Sequence, residues 1–381
     1  FGQNSTIQNG STLTISSTGF VGLNAPFYAA GSTLKYNTGN TYGRSLEWSN
    51  TTGRGYPSNV QISNNTIVNI GAFSGTGTAR QCAGSLTIDA GCTFSMNENG
   101  ELMTAAVSVL GNVNVNGTLT LSGLAGGDIK IGGNYTFAPF GAVNNNSRAV
   151  FFNGVTGDQM ITRTGGGTVD FDYLILDKAA DNLKMSLNTN GRIISYASNT
   201  GLRVLQLLRG DFDMNGGIFT MQGVNPNSMN VLVENTTHKI FTSNGTGAFM
   251  ITGSLSGQIK FNVIPQNNGK LLFENNIVVS TEVGVDFGAG AITTINANLR
   301  IDQNGFVDIN SPNYGTASTL IYNNSPAGYK RNKEWNTDVP GINRTGYPHN
   351  VIVQNSTPLQ LNSTDFPAAP ALGCSGNFTI N

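Results

Sequence analysis

The sequence predicts an all-β protein, a right-handed parallel β-solenoid with loop excursions, on three observations. Short runs with apolar residues at i and i+2 recur along the chain. Gly, Asn or Asp closes nearly every run. Ordered blocks of sequence return at a long, nearly fixed spacing. Each points to the same architecture by a different physical route.

The runs come first. Ser85-Leu86-Thr87-Ile88, Asn112-Val113-Asn114-Val115-Asn116, Thr118-Leu119-Thr120-Leu121 and Asp128-Ile129-Lys130-Ile131 each alternate, so each presents one dry and one wet face when extended. The best helical candidate, Asn199 to Arg209, contains Val204-Leu205-Gln206-Leu207-Leu208 and reads equally well as a buried strand. Gly, Asn and Asp at the ends of the runs tolerate the positive φ that a tight corner needs. The two-residue hairpin turns favoured by antiparallel meanders are not sustained along the chain. Apolar beats recur instead every ~20 to 25 residues, about one three-strand coil of a parallel solenoid.

Composition fits a backbone saturated by ladder hydrogen bonds. Of 381 residues 49 are Gly, and only 11% are charged, against about 25% in an ordinary soluble domain. Disorder is excluded by 38% hydrophobic residues, with 20 Phe and 11 Tyr, enough apolar area to offset chain entropy. Twenty Lys plus Arg nearly cancel 21 Asp plus Glu, a net charge of −1. Such a chain has no long-range field to gather nucleic acid or anionic lipid. No apolar run reaches the about 18 residues of a membrane-spanning helix.

The long-period signal is a tandem duplication. Leu13-Thr14-Ile15, Gly19-Phe20-Val21 and Ser32-Thr33-Leu34-Lys35-Tyr36-Asn37 return 286 residues later as Leu299-Arg300-Ile301, Gly305-Phe306-Val307 and Ser318-Thr319-Leu320-Ile321-Tyr322-Asn323. Tyr42-Gly43-Arg44-Ser45-Leu46-Glu47-Trp48 matches Tyr329-Lys330-Arg331-Asn332-Lys333-Glu334-Trp335. Gly55-Tyr56-Pro57 matches Gly346-Tyr347-Pro348, and Cys82-Ala83-Gly84-Ser85 matches Cys374-Ser375-Gly376-Asn377, by then at offset 292. Residues 1–286 are accordingly expected to be one nearly complete repeat that starts mid-repeat, and 287–381 the start of the next, so that the chain is a segment of a longer array. A shorter echo at offset 90 relates Thr156-Gly157 and Met160-Ile161-Thr162 to Thr246-Gly247 and Met250-Ile251-Thr252. Loop excursions are expected around residues 37 to 58 and 323 to 349.

Arg148-Ala149-Val150-Phe151-Phe152-Asn153-Gly154, Gln159-Met160-Ile161-Thr162 and Phe171-Asp172-Tyr173-Leu174-Ile175-Leu176-Asp177-Lys178, with the Arg44, Glu47-Trp48, Gly55-Tyr56-Pro57 block, resemble the tandem-repeat regions of giant surface proteins exported by type IX secretion. The resemblance implies an extracellular, cell-surface location and a structural or adhesive role, as a gliding or attachment adhesin or a secretion-system cargo. It implies as partners the adjoining repeats of the same polypeptide, the secretion machinery or surface glycans. Two other roles stand beside it: a carbohydrate-binding or polysaccharide-degrading β-helix, and a self-assembling extracellular filament subunit.

Candidate chemistry is sparse. Asp170-Phe171-Asp172 and Asp211-Phe212-Asp213 each place two carboxylates on one strand face. They read as solvated pairs flanking a core Phe, or as a weak Ca²⁺ site; no other cofactor is expected. His238 and His349 have no metal spacing, and no catalytic set is assigned. Arg44, Glu47, Trp48 and Tyr56, with their counterparts Arg331, Glu334, Trp335 and Tyr347, form the most pointed cluster. One reading is an Arg–Glu bidentate pair stacked on indole that locks a loop; the other is a stacking platform for sugars. In an oxidising exterior Cys82 and Cys92 are expected to form a disulfide and Cys374 to be unpaired.

Overall fold

The computed structural model describes residues 1–381 apart from 74, 196–202, 224–227, 254–259, 325–327, 342 and 363–370. It is an all-β solenoid of stacked parallel coils. Two compact units, residues 1–179 and 180–381, are each built this way.

In the first unit every full coil has three sides. Leu86–Ile88, Thr93–Ser95 and Val107–Val109 make one circuit, and Val113–Val115 begins the next. Each strand pairs in parallel with its counterpart one coil away, as Val60 with Leu86, Leu86 with Val113 and Val113 with Tyr135. Leu34, Val60, Leu86, Val113, Tyr135 and Ile161 thus form one inward column, all of them at 0–1% exposure. The intervening Lys35, Gln61, Thr87, Asn114 and Thr136 are partly exposed, which is the dry and wet alternation of the sequence placed in register. One antiparallel pair, Asn97–Glu98 with Glu101–Leu102, projects from the coil.

The second unit repeats the plan. Asp211–Asp213, Ile218–Gly223 and Met229–Glu234 form one circuit, and Thr237–Phe241 starts the next. Aromatic residues thicken its core: Phe212 meets Phe219 edge-on at 4.8 Å, and Phe249 lies 5.8 Å from Phe219 and 5.5 Å from Phe273. Arg203–Arg209 is a strand with Val204, Leu205 and Leu207 buried, so the ambiguous run is not helical; residues 199–202 lie outside the described set. The ladder runs unbroken past residue 286, with Gly284 on Phe306 and Leu271 on Thr293.

The duplication is visible in register. Leu34 pairs Val60 and Val60 pairs Leu86 in the first copy; Leu320 pairs Val351 and Val351 pairs Phe378 in the second. The expected excursions are only partly loops. Thr41–Gly43 is a strand stacked on Ile67–Asn69, and Leu46–Trp48 is one 3₁₀ turn. In the second copy Tyr329–Lys330 pairs Leu359–Gln360, and Arg344–Thr345 runs antiparallel to Asn313–Tyr314.

Corners are made by the expected residues. Asn64 and Asn65 take φ of 57° and 52°, and Asn146, Asn215, Asn267 and Asn304 are likewise left-handed. Gly141 answers a different need: a Cβ there would lie 2.0 Å from the Val115 carbonyl oxygen of the coil beneath. Asn also links coils, in one recurring pattern by accepting a backbone N–H of the next coil on Oδ1. Asn59 accepts from Ser85, Asn112 from Asn134, Asn134 from Met160 and Asn350 from Asn377, at 2.8–2.9 Å. The expected side-chain ladder exists too, in Asn262 to Asn230 and Asn298 to Asn276.

Leu86→Ala should destabilise the protein by about 2–5 kcal/mol. Because coils contact only their neighbours, hydrogen exchange should accelerate most in Asn59–Ile62 and Val113–Val115, the strands on either side. Uniform acceleration along the chain would contradict neighbour-limited stacking.

Candidate functional site, a buried knot present twice

The pointed cluster of the sequence is an interior structure in both copies. After Thr41–Gly43 the chain turns inward, and Arg44, Glu47 and Trp48 are 3%, 0% and 0% exposed. Glu47 is the centre. Its Oε1 accepts from the hydroxyls of Tyr36 at 3.3 Å and Tyr42 at 3.2 Å and from the Ser45 N–H at 2.8 Å. Its backbone carbonyl accepts from the Tyr28 hydroxyl at 2.9 Å. Burial, and then the field of Glu47, push all three phenols far above their usual pKa, so they remain donors. Oε2 of Glu47 is buried without a hydrogen-bond partner.

The arginine does not pair with the glutamate as expected. Arg44 donates to three carbonyls instead: Ile70 at 3.0 Å, Ser45 at 2.7 Å and Ala72 at 2.8 Å. It thereby ties the turn to the next coil. Nor does the guanidinium stack on indole. Trp48 packs 5.8 Å from the Phe94 ring and donates Nε1–H to the Gln81 carbonyl at 2.9 Å.

Most of these contacts return in the second copy, although the Tyr329 hydroxyl, the counterpart of Tyr42, is buried without a hydrogen-bond partner. Tyr322 reaches Glu334 Oε1 at 3.2 Å, the Asn332 N–H reaches it at 2.8 Å, and Tyr314 reaches the Glu334 carbonyl at 2.7 Å. Tyr329 lies 5.4 Å from Tyr322, as Tyr42 lies 5.5 Å from Tyr36. Arg331 donates to the Leu361 carbonyl and Trp335 to that of Gly373, the counterparts of Ile70 and Gln81. Burial raises the Glu334 pKa against the pull of its donors, and its Oε2 also lacks a hydrogen-bond partner. The sugar-platform reading is corrected by burial, since Trp335 and Tyr347 are 5% and 7% exposed. Tyr56 is half-buried and accepts from Gln81. The tyrosines were missed as members, although Tyr28, Tyr36 and Tyr42 recur as Tyr314, Tyr322 and Tyr329.

The cysteine expectation is also corrected: all three thiols are free. Cys82 ends Arg80–Cys82 on one side of the coil, and Cys92 precedes Thr93–Ser95 on another, with the Leu86–Ile88 side between them. Burial pushes the Cys82 thiol up to about 12 and raises those of Cys92 and Cys374, so none is activated.

The paired aspartates flank buried Phe171 and Phe212 as read, yet Asp213 is not solvated. It is 0% exposed and accepts from Lys184 Nζ at 2.8 Å, the Ser186 and Ser243 hydroxyls at 3.1 and 2.6 Å, and the Asn215 and Ser243 N–H groups. Burial opposes its ionisation, but Lys184 and Ser243 outweigh that and hold its pKa below the usual 3.8. Burial raises Asp211, and Asp172 takes the Ser147 N–H at 2.6 Å. Among the described residues no group of three or more His, Cys, Asp or Glu is placed to hold a metal. His238 is buried between the Gly210 and Glu234 carbonyls, and His349 meets the Ser375 hydroxyl. Among the described residues no helix is long and apolar enough to cross a membrane. No protein-family model, curated protein or solved structure matches the chain.

Two outcomes test these assignments. Glu47→Ala strands the Tyr36 and Tyr42 hydroxyls and the Ser45 N–H, and should cost about 3 kcal/mol with faster tryptic cleavage after Arg54; Glu47→Gln keeps an acceptor and should cost about half as much. For Asp213 the folded pKa lies below the unfolded one, so its stabilisation is complete above that unfolded value of about 3.8. It fades as pH falls through the folded value. Urea titrations of wild type and Asp213→Asn should therefore differ at pH 7 and converge at the acid end.

Proposed function

We propose that the chain is a structural and adhesive scaffold segment of a large secreted cell-surface protein, its repeats joined to neighbouring repeats of the same polypeptide. The observation that carries this reading is the duplicated knot. Tyr28, Tyr36, Tyr42, Glu47, Arg44 and Trp48 latch the first excursion, and in the second Tyr314, Tyr322, Arg331 and Trp335 donate to the acceptors equivalent to those of Tyr28, Tyr36, Arg44 and Trp48. In a stack whose stability is local, each repeat needs its own latch. Duplicating a latch is what scaffolding requires; an enzyme gains nothing from a second copy of an interior brace.

The residues that argued for sugar recognition are used up in that brace. Two surface grooves of the second unit are lined by Asn304, Lys330, Asn332 and Gln360, and by Thr237, Lys270, Asn296 and Asn343. Neither lining contains the paired carboxylates that glycoside hydrolysis uses. The likeness to repeats exported by type IX secretion adds the cell-surface location and the gliding or attachment role.

Antibodies raised against this chain should label intact, unpermeabilised cells. Protease added outside should remove the signal, and the native polypeptide should be far heavier than 40.1 kDa. Signal obtained only after permeabilisation would overturn the reading.

A further inference from the structure

A second buried polar arrangement belongs neither to the knot nor to the ladder. Lys178, just after Tyr173–Asp177, is 1% exposed, and Gln159, at the head of Gln159–Arg163, is 2% exposed. Lys178 Nζ lies 2.6 Å from Gln159 Oε1. The same oxygen accepts the Gly154 N–H at 2.8 Å, while Gln159 Nε2 donates to the Ile131 and Gly133 carbonyls at 2.8 and 2.5 Å. The carboxamide is held at both its oxygen and its nitrogen, with its carbonyl polarised by two donors, one of them the Lys178 amine itself.

Simple packing does not call for these residues. In the echo 90 residues on, the place of Gln159 is taken by Phe249, fully buried, and that of Lys178 by Asn268. An ammonium buried against one neutral acceptor is costly. Burial, with only Asp158 opposing it, lowers the Lys178 pKa to about 8. A neutral lysine amine is a nucleophile.

We propose that Lys178 and Gln159 form an intramolecular isopeptide bond, a covalent clip between two sides of one coil. The amine lone pair adds to Gln159 Cδ, and the carbonyl π pair moves onto Oε1, where the Gly154 N–H receives it as an oxyanion donor. The Cδ–Nε2 bond then breaks, a proton passes from Nζ to Nε2, and ammonia leaves. One C–N bond replaces another, so no oxidant, metal or energy source is needed. The orientation of the fixed amide against the amine supplies the rate. The clip closes a ring of the residues between 159 and 178 and would keep those two sides joined under pulling force, whether or not the scaffold reading holds.

The test is mass spectrometry of the folded chain after incubation at pH 9. The clip removes one ammonia, about 17 Da. Trypsin should then fail to cut after Lys178, and residues 149–163 should be recovered joined to residues 164–184. Formation should accelerate as pH rises through about 8, and Lys178→Arg and Gln159→Glu should each abolish the joined peptide. Recovery of residues 149–163 and 164–178 as separate unmodified peptides from folded wild type would overturn the proposal. A loss of ammonia mapping to an Asn-Gly step instead counts equally against it. The wild-type measurement needs no variant to fold.

Discussion

An inward side chain of a coil is removed from water chiefly by the coils stacked against it, and the rest of the structure follows from that constraint. Leu86 and Ile88, with Val60 and Ile62 on one side and Val113 and Val115 on the other, are 0% exposed. Their counterparts Phe378 and Ile380 pair with Val351 and Val353, Phe378 also lies 5.9 Å from the Trp335 ring, and the two are 48% and 72% exposed. The sequence pattern is the same at both places. Burial in the column thus depends on neighbouring coils, and the hydrophobic gain of about 25 cal/mol per Å² accrues as coils stack. A strand pattern that would sit at the surface of a sandwich becomes core here by repetition.

Stacking also dictates where polar groups can go inside. A chain segment that leaves the coil carries backbone N–H and C=O groups away from the ladder, and each must find a partner when it folds back. The knot does this with long side chains: Arg44 takes the carbonyls of Ile70 and Ala72, Trp48 takes that of Gln81, and Glu47 gathers Tyr36, Tyr42 and the Ser45 N–H. Removing one member leaves several others unsatisfied, so the cluster tolerates little change. That fits the return of Tyr42, Arg44, Glu47 and Trp48 as Tyr329, Arg331, Glu334 and Trp335 while the residues between them change.

Much of the fold was legible because its signals are local. Period-two alternation in Asn112–Asn116 or Thr118–Leu121 requires only neighbouring residues to be read, and Asn or Gly at corners declares itself by type. The duplication was legible because both Trp residues sit in it. The details that failed are all matters of direction. Arg44 and Glu47 are three residues apart and of opposite charge, yet they point to different partners, because Glu47 meets tyrosines 5, 11 and 19 residues upstream. Cys82 and Cys92 are close in sequence but occupy different sides of a three-sided coil, which spacing alone does not reveal. Asp213 looked solvated because alternation puts it outward; Lys184 and Ser243 from neighbouring coils close over it.

The low charge of the chain is a consequence of the same geometry. In a parallel stack the outward residue of each coil lies about 4.8 Å from its equivalents above and below. A charge placed there faces a like charge in any repeat that conserves it, and directly opposed like charges destabilise a sheet. Amides and hydroxyls escape the conflict because each both donates and accepts. Asn114 donates to Thr87, Asn144 to Thr120 and Asn298 to Asn276, each one coil away at 3.0–3.3 Å. Some charges meet an opposite partner on the adjacent coil, as Lys239 meets Glu274 at 3.5 Å, and others an amide, as Asp89 accepts from Gln61. The Asn, Thr and Ser that make the sequence look like low-complexity polymer are therefore the outer surface of the ladder, selected by what stands one coil away.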